Sequence, residues 1–334
     1  MPYREILAAW LRGFRGDRNL ICDFEKYPHD AYLSDYERNI KTRKIDMPHQ
    51  NMIDDKLVFD FIISALNTPT PRLYAAQLHE SFVSFSEYPD LESLLEAEKN
   101  LVIKPRFGSG GDRVRFVSHR DSLLINGQPA RDLRLSPNDL VVGLVEQHPY
   151  ATQIFPGATN TMRLLTIWDY EDDQPFICFA VHRFGTFNSA PLDGWNRGGL
   201  SARIDLQTGQ MGSAVLRPTL WNPKKPARGS LANAVVWCDR HPDTGQQIEG
   251  VQVPHWESVR SAVIAAAAQL RFLPYIGWDV IVTERDLCVI EANSRTDVHF
   301  LQVHDPFLID ERTARFFEKH GVSRSKAGPG PRGR

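Results

Sequence analysis

The sequence has no apolar run approaching the roughly 20 residues that a helix needs to cross a bilayer, so no membrane span is expected. Its first residues, Met1–Trp10, are too short and too polar for a secretory leader. Cysteine is scarce. Cys22, Cys178, Cys238 and Cys288 lie far apart in the 334 residues and form no CxxC pair, which argues against a zinc site or a disulfide framework. Cys178 and Cys288 fall in apolar, strand-like runs where buried thiols are the better reading, and a cytoplasmic location fits. An excess of one charge is also lacking. Lys+Arg 39 against Asp+Glu 41 leaves a formal charge of −2, without the basic domain or stripe that a nucleic-acid surface needs. No internal repeat or low-complexity linker interrupts the chain before the basic, Gly/Pro-rich end at Ser323–Arg334, which reads as a disordered tail.

What is present is the composition of a globular enzyme, with 42% hydrophobic and 24% charged residues and enough length for two or three lobes. Residues 1–100 read as mainly helical. Asp54-Asp55-Lys56 opens a periodic segment (Leu57, Phe59, Phe61, Ile62, Leu66) that Thr68-Pro69-Thr70-Pro71 stops, leading into a short extended run at Arg72–Ala75. A second helix covers Leu91–Lys99. From Leu101 the pattern turns to strands, at Leu101–Lys104, Arg113–Ser118, Leu140–Glu146, Thr161–Trp168 and Phe176–Arg183. A hairpin turn is expected at Asn126-Gly127. Trp256–Phe272 reads as an amphipathic helix, Ile276–Thr283 and Leu287–Asn293 as a strand pair, and Pro306–His320 as a closing helix. The fold class is α+β with mixed or antiparallel sheets.

Lys104 ends a strand and is followed by Gly108, Ser109, Gly110 and Gly111 before the next strand begins. Glycines let a backbone fold closely over an anion and turn successive N–H groups towards it, and the lysine adds a fixed charge. A hairpin with a flexible tip is the alternative. GxxxxGK[ST] is absent, and Gly108-x-Gly110 lacks the third glycine of a dinucleotide fingerprint. His119-Arg120-Asp121 with Asn126 has the spacing of a kinase catalytic loop. It follows the lysine by too few residues, no DFG comes later, and the match is read as coincidence.

The strand pair holds a second constellation. Residues two apart on a strand share a face, so Glu291 and Asn293 point the same way, and Asp279 on the neighbouring strand can lie beside them. Two carboxylates and an amide oxygen are hard ligands suited to Mg2+. A hairpin with polar residues on a solvent face is the alternative here.

In order, Lys56, Lys104-Pro105 with its glycine loop, Glu146, Asp279 and Glu291-x-Asn293 resemble the ATP-grasp superfamily. The runs Asn160-Thr161-Met162-Arg163, Asn196-Arg197-Gly198-Gly199-Leu200 and Ile276-Gly277-Trp278-Asp279-Val280 resemble its sugar-transfer-associated branch, related to α-L-glutamate ligases. The resemblance covers roughly residues 30 to 310. It implies two sheet lobes clasping the nucleotide: a small lobe with a glycine-rich lid over 101–150, and a large lobe with the metal site over 151–322. It implies that Lys56 and Lys104 meet the phosphates of ATP under the loop Gly108–Gly111, and that Glu146, Gln147 and His148 receive the adenine. Asp279, Glu291 and Asn293 would hold Mg2+, while Arg163 and Arg183 would clamp the γ-phosphate or an acceptor carboxylate. For His182 and Asn196 a structural role is the better reading.

The activity implied is ATP-dependent joining of a small-molecule carboxylate to an amine through an acyl phosphate. A carboxylated sugar or amino acid in polysaccharide or specialised-metabolite synthesis is the acceptor the branch suggests. A kinase on the same scaffold and a non-catalytic nucleotide binder are the rivals. Dimers are common in the superfamily, which leaves a homodimer open. No nucleic-acid or membrane partner is expected. Neither the N-terminal region, which would help shape the acceptor pocket, nor Trp221–Pro254 contains a phrase that matches.

Overall fold

A computed structural model describes residues 3–323 apart from 17, 19–20, 109 and 218–234. Ser109, part of Trp221–Pro254 and the tail beyond 323 therefore lie outside the described residues. The N-terminal region contains α1 (Tyr3–Leu11), α2 (Asn51–Asp54) and α3 (Lys56–Ala65). The break between α2 and α3 has a local cause. Asp55 is extended, and its carboxylate accepts from the Leu57 and Val58 amides, satisfying donors that a helix start leaves unpaired. The capped helix then buries Leu57, Phe59 and Ile63.

Seven strands form the small sheet: β1 (Leu73–Leu78), β2 (Ser81–Ser84), β3 (Asn100–Pro105), β4 (Arg115–His119), β5 (Leu123–Ile125), β6 (Gln128–Pro129) and β7 (Asp139–Gly143). Their order is β2-β1-β7-β3-β4-β5-β6, with every pair antiparallel. Helix α4 (Leu91–Ala97), capped by Asp90, packs Leu94 against Tyr74, Leu101 and Ile103. The region read as mainly helical thus supplies two strands of this sheet. In sequence, β1 is a weak strand, with alanine at 75 and 76, and it is pairing with β7 that fixes it. Asn126 and Gly127 both have positive φ, 51° and 76°, which suits the tight turn joining β5 to β6. The Asn126 side chain accepts from the Phe116 amide, so the kinase-like spacing there serves a hairpin.

The large sheet has the order β12-β11-β10-β9-β8-β13-β14 and is also antiparallel throughout. Its strands are β8 (Met162–Asp169), β9 (Gln174–Phe184), β10 (Leu200–Ile204), β11 (Met211–Leu216), β12 (Val236–Cys238), β13 (Tyr275–Val282) and β14 (Leu287–Asn293). The central strands β8 and β13 are buried along their whole length, because both faces are covered, and they read as near-continuous apolar runs for that reason. On one face, α5 (Pro149–Ile154) and α6 (Trp256–Gln269) pack Ile154, Val259, Val263 and Ala267 against Met162 and Leu164. On the other, α7 (His299–Gln302) and α8 (Glu311–Lys319) pack Phe300, Phe316 and Phe317 against Leu165 and Ile167. The N-terminal region docks on this second face. Leu33 exchanges backbone hydrogen bonds with the Gln302 amide group at 2.8 and 3.1 Å, and Arg18 pairs with buried Asp35 at 2.7 Å.

All four cysteines are free thiols. Among the described residues no helix is long and apolar enough to cross a membrane.

Candidate active site

The two sheets meet at β3 and β14. Along β3 burial alternates, so Leu101, Ile103 and Pro105 turn into the small-lobe core and Lys104 turns away from it. The Lys104 ammonium donates to the Ile290 carbonyl at 3.1 Å. Burial lowers its pKa, an effect deepened by the nearby Lys56 charge and opposed by the Glu291 and Asp60 carboxylates. A desolvated ammonium of this kind gains from an anion arriving beside it.

Lys56 is the first residue of α3 and is held in place from below. Its amide donates to the Arg106 carbonyl at 3.2 Å, while Arg106 forks onto Asp55 at 2.8 and 2.6 Å. The Lys56 side chain then donates to the Gly108 carbonyl at 2.6 Å and stands 3.7 Å from Glu291. The glycine loop has positive φ at Gly108, Gly110 and Gly111. At Gly111 a Cβ would also stand 2.7 Å from the end of the Leu192 side chain, which would have to move aside, so the positive φ is the stronger reason for glycine here. Arg197, from the loop after β9, donates to the Gly110 carbonyl at 3.2 Å and pairs with Asp112. The glycine loop is tied to the loop after β9 through that side chain.

On the large sheet, β13 pairs with β14 so that Asp279 lies opposite Glu291, and Gly277 opposite Asn293. The Asn293 amide donates to Glu291 Oε1 at 3.3 Å, which puts the two on one face. On its other side Asp279 lies opposite Arg163 of β8. Arg163 grips both oxygens of Asp279, at 2.6 and 2.9 Å, and donates to Thr296 Oγ1 at 2.9 Å. Arg183 stands 3.1 Å from the same carboxylate and 3.5 Å from Asp193. Burial would raise the Asp279 pKa, yet the two guanidinium groups outweigh it and hold the carboxyl well below the usual range. Burial likewise opposes the charge on Arg183, but Asp193 and Asp279 raise its pKa.

The guanidinium forks of Arg163 and Arg183, expected to face a phosphate or an acceptor, are therefore engaged with carboxylates, 7% and 13% exposed. Among the described residues no three His, Cys, Asp or Glu side chains gather as a metal cluster. The Asp279, Glu291 and Asn293 set has two carboxylates and one amide oxygen. Glu291 and Asn293 are hard donors that fit Mg2+, which keeps waters and takes phosphate oxygens to complete its shell, while the Asp279 oxygens beside them are already held by Arg163 and Arg183.

The segment from Gly143 to His148 carries the chain from one sheet to the other. Glu146 is exposed. Gln147 is occupied, accepting from the Asn160 amide at 2.8 Å and donating to the Ala158 carbonyl at 3.0 Å. The His148 amide donates to the Val282 carbonyl at 2.7 Å, and its ring caps α5. His182 and Asn196 also have structural partners. The His182 ring meets the Tyr150 hydroxyl at 2.6 Å, and Asn196 accepts from Arg217 at 2.7 Å.

A cavity of about 340 Å³ adjoins Lys56, Gly108 and Asn293 and is lined also by Arg38, Arg43, Asp54 and Arg295. None of these last four stood out from the sequence as a site residue, where Asp54 reads as part of a helix start, although two signals were available for the arginines. Basic residues crowd positions 38, 41, 43 and 44, and Arg295 continues the every-second-residue series of Glu291 and Asn293.

Among curated proteins none matches the sequence. Three solved structures are similar in fold. The ATP-grasp ligase PsnB, complexed with minimal precursor, Mg and ADP, is 13% identical with a TM-score of 0.39, over 84% of this chain and 62% of that one. N5-carboxyaminoimidazole ribonucleotide synthetase from Thermotoga maritima is 12% identical with a TM-score of 0.37, over 73% and 42%. D-alanine–D-alanine ligase from Bacillus anthracis is 14% identical with a TM-score of 0.36, over 81% and 70%. The chain thus spans less than two thirds of the length of the first two. In contrast, the sequence model described as sugar-transfer associated ATP-grasp matches residues 34–315, a span that takes in both sheets and the residues between them; the chain belongs to that family.

Proposed function

We propose that this protein is an ATP- and Mg2+-dependent ligase that joins a small-molecule carboxylate to an amine. The observation that carries the reading is the meeting of Lys56, Lys104, Glu291 and Asn293 where the two sheets touch. Lys104 reaches the backbone of Ile290, and Lys56 bridges the Gly108 carbonyl and Glu291. Positive charge from the small lobe and hard oxygen ligands from the large lobe are thereby brought to one place, as a metal-bound polyphosphate requires.

In this reading Lys56 and Lys104 hold the phosphates, the loop with Gly108, Ser109, Gly110 and Gly111 covers them, and the Glu146–His148 segment takes the adenine. Asp279, Glu291 and Asn293 hold Mg2+, which neutralises phosphate charge when bound. Arg163 and Arg183 keep Asp279 ionised and in position. An acceptor carboxylate oxygen attacks the γ-phosphorus, the bond to the ADP oxygen breaks, and an acyl phosphate forms. An amine nitrogen then attacks the acyl carbon, phosphate leaves, and the amine gives up a proton. Loss of one lysine charge would reduce turnover on the order of 10²–10³-fold. The lobe division at residues 101–150 and 151–322, a cytoplasmic location and a carboxylated sugar or amino acid as acceptor belong to the same proposal.

Hydroxylamine, a small amine that intercepts acyl phosphates, provides the test. Incubated with Mg-ATP, hydroxylamine and a panel of carboxylates, the protein should yield a hydroxamate and free phosphate in equal amounts. Transfer of phosphate to an alcohol with neither product would make it a kinase instead.

A further inference from the structure

The cavity beside the lid contains more positive charge than a nucleotide site accounts for. Arg38, Arg43, Arg295 and Lys56 line it against a single carboxylate, Asp54. Asp54 is already engaged, because its oxygens accept from the Ser294 amide at 3.0 Å and from the Ser294 hydroxyl at 2.7 Å. Arg295 stands a further 3.6 Å from it and remains about half exposed. Arg38 is spent only in part, on the Asn39 side chain at 2.8 Å and the Thr296 carbonyl at 3.4 Å, with Asp297 at 4.0 Å. Arg43 has no ion pair among the described residues.

Position separates this charge from the nucleotide end. Lys104 does not line the cavity, whereas Lys56, Gly108 and Asn293 do, so the cavity opens from the phosphate end and continues away from it. Its far wall comes from the N-terminal region, where Arg38 lies in the π-helical turn Glu37–Lys41 and Arg43 in the 3-10 turn Thr42–Lys44. The volume, about 340 Å³, is that of a small-molecule site. Guanidinium forks match carboxylate and phosphate groups in two-point fashion.

We infer that the acceptor carries a second anionic group besides the carboxylate to be activated, either a carboxylate or a phosphate, and that Arg38, Arg43 and Arg295 hold it here. This rests on the ligase reading and narrows its acceptor to polyanions. The reacting carboxylate lies at the Lys56 and Asn293 end. The second anion sets its distance from the nucleotide, so a simple monocarboxylate is a poor acceptor.

The test is calorimetric titration of the full chain with acetate, glutarate, 3-phosphoglycerate and inorganic phosphate, each with and without saturating Mg-ADP. Glutarate or 3-phosphoglycerate is expected to bind at least about 10-fold tighter than acetate, the equivalent of one good polar contact, and to remain bound with Mg-ADP present. The tighter of the two identifies the second anion as carboxylate or phosphate. Arg43→Ala and Arg295→Ala should each remove most of that preference, while Arg131→Ala, at an exposed position outside the cavity lining, should not. Mg-ADP titrated into each variant reports an intact fold. Equal affinity for acetate and the dianions, tightest binding of inorganic phosphate alone, or expulsion of the dianion by Mg-ADP would overturn the inference and leave the ligase reading intact. A protein that does not bind Mg-ADP at all overturns both.

Discussion

Arg163 holds Asp279 from the adjacent strand with two charge-assisted hydrogen bonds, at 2.6 and 2.9 Å. Both side chains are almost fully buried, so removing the cation would leave a buried carboxylate with Arg183 as the one remaining cation beside it among the described residues. Breaking a buried pair from one side is far more costly than replacing both members. Arg163→Met is therefore expected to lower unfolding stability by about 3 kcal/mol, and Arg163→Met combined with Asp279→Leu to recover most of it. Urea denaturation of the three proteins checks this. A single-variant loss below about 1 kcal/mol would place the pair with screened surface pairs.

Gly277 faces the same cluster. A Cβ there would fall 1.8 Å from Thr296 Oγ1, the atom that accepts from Arg163. Gly277→Ala is expected to cost about 1–3 kcal/mol, in line with other overpacked cores. Adding Thr296→Gly should return part of it despite the lost hydrogen bond. Thermal melts of the single and double variants decide the matter.

The parts of this site differed in how readable they were from sequence. Glu291-x-Asn293 was legible because strand periodicity alone puts both on one face, and the glycine loop because Gly108, Gly110 and Gly111 crowd a turn. Arg163 and Arg183 stood out as cations on strands, but their engagement with Asp279 depends on the register of β8, β13 and β9, which no local pattern reveals. Arg38 and Arg43 were invisible for another reason. They lie in short π and 3-10 turns without apolar periodicity, and tertiary contacts such as Leu33 on Gln302 and Lys41 on the Val322 carbonyl bring that segment to the site. The extended run expected at Arg72–Ala75 falls on β1, but its continuation through Ala76 and its partner β2 were not legible, because Ala75 and Ala76 carry little strand signal.

Asp46 gives a pH dependence. Burial pushes its carboxyl up to about 8, although the Tyr275 amide, donating to it, pulls the other way. In the unfolded chain it titrates near 4. Between those values the native state binds the extra proton, so stability falls as pH rises, by about 1.4 kcal/mol per pH unit. Asp46→Asn keeps an acceptor for Tyr275 and removes the titration. It should match the native protein at pH 4 and exceed it in melting temperature at pH 8. Equal gains at both pH values would show that Asp46 is not protonated in the fold.

Arg197 tethers the glycine loop from the exposed side, through the Gly110 carbonyl and Asp112. Exposed pairs contribute little to global stability, about 1 kcal/mol or less. Arg197→Ala should therefore leave the melting temperature almost unchanged and accelerate amide hydrogen exchange in residues 110–114. Exchange that accelerates equally across β13 would mean that the residue supports the core instead.

The central claim is that a metal-bound nucleotide sits where Lys56 and Lys104 face Glu291 and Asn293. Calorimetric titration of Mg-ADP, repeated without Mg2+ and with Glu291→Gln, tests it most directly. The account expects binding that depends on Mg2+ and is weakened at least about 10-fold by the substitution, the loss of one charged ligand. Equal binding in all three titrations, or none in any, would contradict it.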